Sequence, residues 1–288
     1  MSRRKTLRRS RQRRTRRIRR KQRGGSSDAI VFKLTNGAGF GSVGNFLCHA
    51  YIHAKETGKD FFIENDNWQY SYKDGWHDYF KSLNNLPANP PAHITRYKHA
   101  DTQSLPLYSL DKYTDCIKNI FVLNDDLVKK AQDFIDNMGS PYKAVYVRMG
   151  DKVSGNEKEI DAFSLPELVK IMELPNDSKL FLMTDDYSIK GELEKLLPST
   201  KIFTQTPPEN KGSSVHDLRA LSKEDMRKHA EELFTSMYIL MKAEKAWVWN
   251  HSNLGRFMKM GSPDNIVLYP INNELSGSST VNPGNTHL

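Results

Sequence analysis

Cysteine is nearly absent from this sequence: Cys48 and Cys116 are the only two among 288 residues. Two cysteines, each with a ready place as a small buried residue, make no disulfide framework, so a reducing compartment is expected. No apolar run approaches the roughly 18 residues a membrane span needs. The N-terminus lacks the apolar stretch of a secretory signal, and the expected location is the cytoplasm. Acid is missing from one end altogether. Residues 1–24 hold 14 of the 43 Lys and Arg residues, and the first acid is Asp28. With those 14 set aside, 29 basic residues face 34 acidic ones, so the body is at −5 although the whole chain is at +9. The body therefore shows no bulk sign of being built to coat nucleic acid.

What is present divides into a tail and a body. Met1 to Ser27 is a like-charge run with almost nothing to bury, and it is expected to be disordered. Such a tail attracts polyanions in a salt-sensitive way, and it also reads as a nuclear address or a contact for anionic lipid. Its Arg-rich, Gly-ended composition resembles tails on proteins of giant DNA viruses. The body alternates strand and helix signals: strands at 29–35, 60–64, 143–148, 179–184, 201–204, 246–249 and 266–269, with helices at 44–57, 125–137, 165–174, 189–197, 223–243 and 254–259. Residues 65–111 read as elaborated aromatic and Pro-rich loops. Apolar runs of four to six residues between helices predict parallel strands buried on both faces. The fold class is thus α/β, with a doubly wound sheet whose ligands lie at the carboxyl ends of its strands. The expected division is a basic tail (1–27), an N-terminal α/β lobe (28–140), a Rossmann-like lobe (141–271) and a flexible C-terminal tail (272–288).

Five segments carry candidate chemistry. In NGAGFGSVGN, Gly37, Gly39 and Gly41 follow a strand and open a helix. There the backbone can approach a phosphate at the helix N-terminus, although a plain tight turn explains the glycines as well. In VRMGDKV, Arg148 leaves a strand where a guanidinium can grip a diphosphate, and Asp151 and Lys152 follow; a surface ion-pair cluster is the alternative. Glu157, Glu159 and Asp161 come next. A sugar transfer needs a carboxylate to take the acceptor's proton and a cation for the departing diphosphate, although each acid also suits a solvated loop. Thr184-Asp185-Asp186 ends a strand and faces the crevice or caps a helix. In NHSNLGR, Ser252 and Asn253 sit at a strand-to-helix turn, as phosphate ligands or as a cap. His49 and His53, four apart on one helix, lack acidic or Cys partners nearby and read as partly buried side chains rather than metal ligands.

Taken in order, these pieces resemble the α-1,6-fucosyltransferase superfamily, which includes core and nodulation-factor fucosyltransferases. The likeness starts at NGAGFGSVGN, passes through Trp68, Tyr70, Gly75 and Trp76 to VYVRMGDKV, and ends with LFLMTDD and LMKAEKAWVWNHSNLGR. It implies a two-lobed GT-B-like glycosyltransferase that moves fucose from GDP-fucose to a glycan hydroxyl, with inversion and without metal or other cofactor. By the same resemblance the glycine loop, Arg148, Tyr146, Asp151, Lys152, Asp185, Ser252, Asn253 and Arg256 hold the nucleotide. Glu159, or else Glu157 or Asp161, takes the proton from a glycan or glycoprotein acceptor. That acceptor is expected against Trp68 and Trp76, whose faces stack well on sugars, although both tryptophans equally suit the core. Three departures stand out. Met149 replaces a second arginine, Tyr146 replaces a histidine, and Gln205 falls near an aspartate that reads guanine. Met149 and Gln205 motivate a second reading, a weakened protein that binds a sugar nucleotide or glycan without transfer, and the 14 positive charges of the tail motivate a third, a polyanion binder.

Overall fold

A computed structural model of the protein describes residues 28–36, 38–65, 67–99, 101–149, 164–212, 215–269 and 280–281. The first strand, β1 (Asp28–Lys33), has Ala29 to Phe32 buried on both faces, as expected of a central parallel strand. It is flanked by β2 (Asp60–Glu64) and β3 (His93–Tyr97), both parallel to it, in the order β2-β1-β3. Helix α1 (Phe40–Glu56) makes the crossover from β1 to β2. After the short strand β4 (Tyr108–Ser109) come α2 (Leu110–Ile120) and α3 (Asp125–Met138).

The second sheet is all parallel. It contains β5 (Lys143–Val147), β6 (Lys179–Thr184), β7 (Lys201–Phe203), β8 (Lys245–Trp249) and β9 (Ile266–Tyr269), in the order β7-β6-β5-β8-β9. Order reverses between β5 and β8, and a crevice opens at that switch point beyond the carboxyl ends. The connecting helices are α4 (Leu165–Met172), α5 (Ser188–Leu196), α6 (Val215–Ala220), α7 (Lys223–Lys242) and α8 (Asn253–Gly261). Several starts are written locally. The Ser164 side chain accepts from the Glu167 amide at α4, and Ser222 accepts from the Asp225 amide at α7.

Strand alternation divides the apolar residues of this sheet. Val145, Val147, Leu182, Trp247 and Trp249 face Leu168, Ile189 and Leu193 of α4 and α5. Ala144, Tyr146, Phe181, Met183 and Val248 face the other way and join one apolar cluster with Phe32, Phe40, Phe234 and Phe257. The architecture is α/β with the GT-B form, its C-terminal sheet Rossmann-like.

Some expectations are corrected. Residues 65–111 are more than loops: they contribute β3, β4 and the start of α2. Helix α2 escaped notice because its buried stripe (Tyr113, Cys116, Ile117, Ile120) is interleaved with Asp and Lys. Helix α1 begins at Phe40 rather than Gly44, so the end of the glycine loop is helix. Trp68 and Trp76 are only 3% and 0% exposed and pack on Tyr79 and Phe80, so neither offers a face to an acceptor. Within the segment expected to be a flexible C-terminal tail, β10 (Thr280–Val281) pairs antiparallel with β4. The basic tail and the rest of that segment lie outside the described residues.

Candidate functional site

At the β5/β8 switch point lies a cavity of about 280 Å³. Its first wall is the start of α1. Gly39 precedes that helix with no side chain to cap the first-turn amides, and Gly39, Phe40, Gly41 and Ser42 all border the cavity. The Ser42 amide already donates to the Gly39 carbonyl, so the Phe40 and Gly41 amides and the helix dipole make this an anion-binding end. Helix α8 starts beside it. Ser252 accepts from the Leu254 and Gly255 amides, and its hydroxyl lies 3.3 Å from that of Tyr146. Arg256 donates to the Asn253 side-chain oxygen Oδ1 at 2.8 Å, one helical turn apart. The two helix starts touch because Gly41 and Gly44 carry no side chain. A Cβ at Gly44 would fall 2.8 Å from the Phe257 ring.

Arg148 enters from the end of β5 and pairs with Asp185 at the end of β6, 3.5 Å away. The other Asp185 oxygen accepts from the Met149 amide at 2.8 Å, so one carboxylate fixes both the backbone and the guanidinium. The Tyr146 carbonyl is held in turn by the Tyr269 hydroxyl at 2.7 Å. The arrangement sets a cation and an uncapped helix start around one space, which suits a diphosphate.

The last wall is α7, whose His229, Glu232, Leu233 and Ser236 border the cavity. Burial pushes the Glu232 carboxyl up to about 7, and nearby Glu209 adds to the effect. Burial, with help from Arg148, drives His229 down to about 4, leaving it neutral. Tyr70 closes the floor, its phenol raised by burial against opposing hydrogen bonds to Gln69 and Phe40 and the charge of Arg148.

Of the residues expected from the sequence, the cavity brings together Gly39, Gly41, Tyr146, Arg148, Asp185, Ser252, Asn253 and Arg256. Gln205 does not border it; its carbonyl accepts from the Thr235 and Ser236 hydroxyls at 3.0 and 2.8 Å. Gly37, Asp151, Lys152, Glu157, Glu159 and Asp161 lie outside the described residues. His49 and His53 are engaged by Pro106, Tyr113 and Tyr108. Sequence reasoning missed His229 and Glu232. The available signal was a polar stripe at positions 229, 232 and 236, beside the apolar stripe at 226, 230, 234 and 237.

No family model matches the sequence, and no curated protein does. Solved structures do. NodZ alpha-1,6-fucosyltransferase soaked with GDP-fucose superposes with a TM-score of 0.56 at 14% identity, over 85% of this chain and 96% of that one. Fucosyltransferase NodZ from Bradyrhizobium gives 0.50 at 15% identity, over 84% and 96%. An Arabidopsis thaliana FUT1 variant in complex with GDP gives 0.54 at 10% identity, over 85% and 71%. The chain shares the fold of these fucosyltransferases. No helix among the described residues is long and apolar enough to cross a membrane.

Proposed function

We propose that this protein is a glycosyltransferase that moves fucose from GDP-fucose to a glycan hydroxyl, inverting and without metal. The observation that carries the reading is that Arg148 and the uncapped start of α1 border one cavity at the switch point of the C-terminal sheet. In that role Arg148, positioned by Asp185, neutralises charge building on the departing diphosphate. Ser252, Asn253 and Arg256 line the same end and hold its oxygens. The proton acceptor is Glu159, Glu157 or Asp161, and the donor-binding lobe is residues 141–271. The fold shared with NodZ, whose structure was soaked with GDP-fucose, supports this choice of donor.

Calorimetry on the intact chain with GDP-fucose, UDP-sugars and ADP-sugars tests the donor, followed by a GDP-release assay over a glycan panel. Selective GDP-fucose binding and release of GDP that Arg148→Ala abolishes are expected. Full turnover in Arg148→Ala would sink the assignment.

One observation favours a second reading. Met149 packs onto the apolar layer beneath the sheet, so this position supplies no second cation. A protein that holds the nucleotide sugar yet transfers it slowly or not at all fits that loss. Tight donor binding without turnover on any acceptor would support it.

A further inference from the structure

Helix α7 has one buried stripe and, beside it, one that is mostly half-buried. Met226, Ala230, Phe234 and Met237 enter the core, while His229, Glu232, Leu233 and Ser236 border the cavity. The spacing makes each set one helix face. In the second stripe Glu232 is anomalous. It is half-buried, and no described residue donates a hydrogen bond or ion pair to its carboxylate. Its nearest charged influence is another acid, Glu209, on the loop after β7. Such a carboxylate is costly unless a ligand supplies donors.

Its place in the fold says which part of a ligand arrives there. The anion-binding groups, Arg148 and Ser252, follow β5 and β8. Thr206 and Asn210, which also border the cavity, follow β7, two strands from β5, and Glu209 of the same loop acts on Glu232. Two strand spacings are about 10 Å, the reach of a nucleoside from its phosphate toward its base. Gln205, on the same side, has its carbonyl engaged by two hydroxyls.

We propose that Glu232 selects the base of the nucleotide, its two oxygens accepting the parallel N1–H and N2–H donors on one edge of a guanine. The inference rests on the nucleotide-sugar reading above and adds to it the residue that chooses the base. Guanine offers two adjacent donors on that edge. Adenine sets an acceptor beside its donor, and uracil flanks a single N–H with two carbonyls that would repel a carboxylate. The raised ionisation of Glu232 fits a group whose charged form awaits donors.

Calorimetry on the intact chain with GDP, IDP, N1-methyl-GDP and UDP tests this, because IDP lacks only the N2 amino group. The wild type is expected to favour GDP over IDP by about tenfold or more, the weight of one charge-assisted hydrogen bond. Glu232→Gln should lower GDP affinity at least that much and bring GDP and IDP together. Circular dichroism checks that the variant is folded. An unchanged GDP-to-IDP ratio in Glu232→Gln would overturn the role of Glu232 while leaving the donor reading intact. A wild type indifferent to N1-methylation would overturn it without any substitution. A wild type that binds none of the nucleotides would overturn both the inference and the reading beneath it.

Discussion

Gly41 in the first turn of α1 lies against the backbone of Leu254 in the first turn of α8, so close that a Cβ on Gly41 would collide with the Leu254 amide nitrogen. The obstructing atoms are main chain and cannot rotate aside. Gly41→Ala is therefore expected to force the two helix starts apart and cost about 1–3 kcal/mol. At Gly39 nothing lies within 4 Å of the added methyl, so Gly39→Ala should change stability by less than about 1 kcal/mol. Chemical denaturation of both variants checks the contrast, and equal losses would contradict it.

Asp185 holds Arg148 and the Met149 amide with one carboxylate. Asp185→Asn keeps an acceptor for the amide but removes the charge that aims the guanidinium. Nucleotide affinity is expected to fall about tenfold, the scale of a charge-assisted contact, while the thermal midpoint moves little. Calorimetry beside a melting curve reads both. A collapse of the melting temperature with unchanged binding would make Asp185 a purely structural residue.

Glu232 makes stability depend on pH in an unusual direction. Its carboxyl is raised from 4.5 to about 7 in the folded chain. The stabilisation from keeping it protonated is full below about 4.5 and is lost as pH rises through 7. Charging it at pH 8 costs on the order of 2–3 kcal/mol. The titratable groups about it are Glu209 and His229, and His229, near 4, stays neutral over this window. Without ligand, Glu232→Gln should melt higher than wild type at pH 8 and alongside it at pH 5. A difference that is the same at both values would show that the carboxyl is not desolvated.

Trp76 has no exposed surface and stacks on Phe80 with ring centroids 4.3 Å apart. Trp76→Ala is expected to cost about 3–5 kcal/mol through the cavity it leaves. The readout is the unfolding midpoint. A variant of normal stability with a raised KM for acceptor would instead restore Trp76 as a sugar platform.

Much of the second sheet was legible because KAVYV, KLFLMT and KAWVW are short apolar runs bounded by charge, with helices between them. Arg148, Asp185 and Ser252 were legible for the same reason, since a polar residue just past such a run must sit at a strand's carboxyl end. Edge strand β3 was not. HITRY has exposed His93, Thr95 and Arg96, and its pairing with β1 depends on a partner more than 60 residues away. Glu232 was hidden in a different way. Glu231 beside it makes surface ion pairs with Lys130 and Arg227, and in one dimension the two acids look alike. The single-residue rotation of about 100° that turns one toward Lys130 and Arg227 and the other to the cavity becomes visible only when α7 is packed.

The aromatic cluster that joins Phe40 of α1, Phe234 of α7 and Phe257 of α8 fastens three walls of the cavity to one another. Walls tied through a common interior cannot swing independently, so the described part of the site receives its ligand already shaped. In the proposed role, choice among nucleotides at these walls then rests on which hydrogen-bond edge meets the waiting groups.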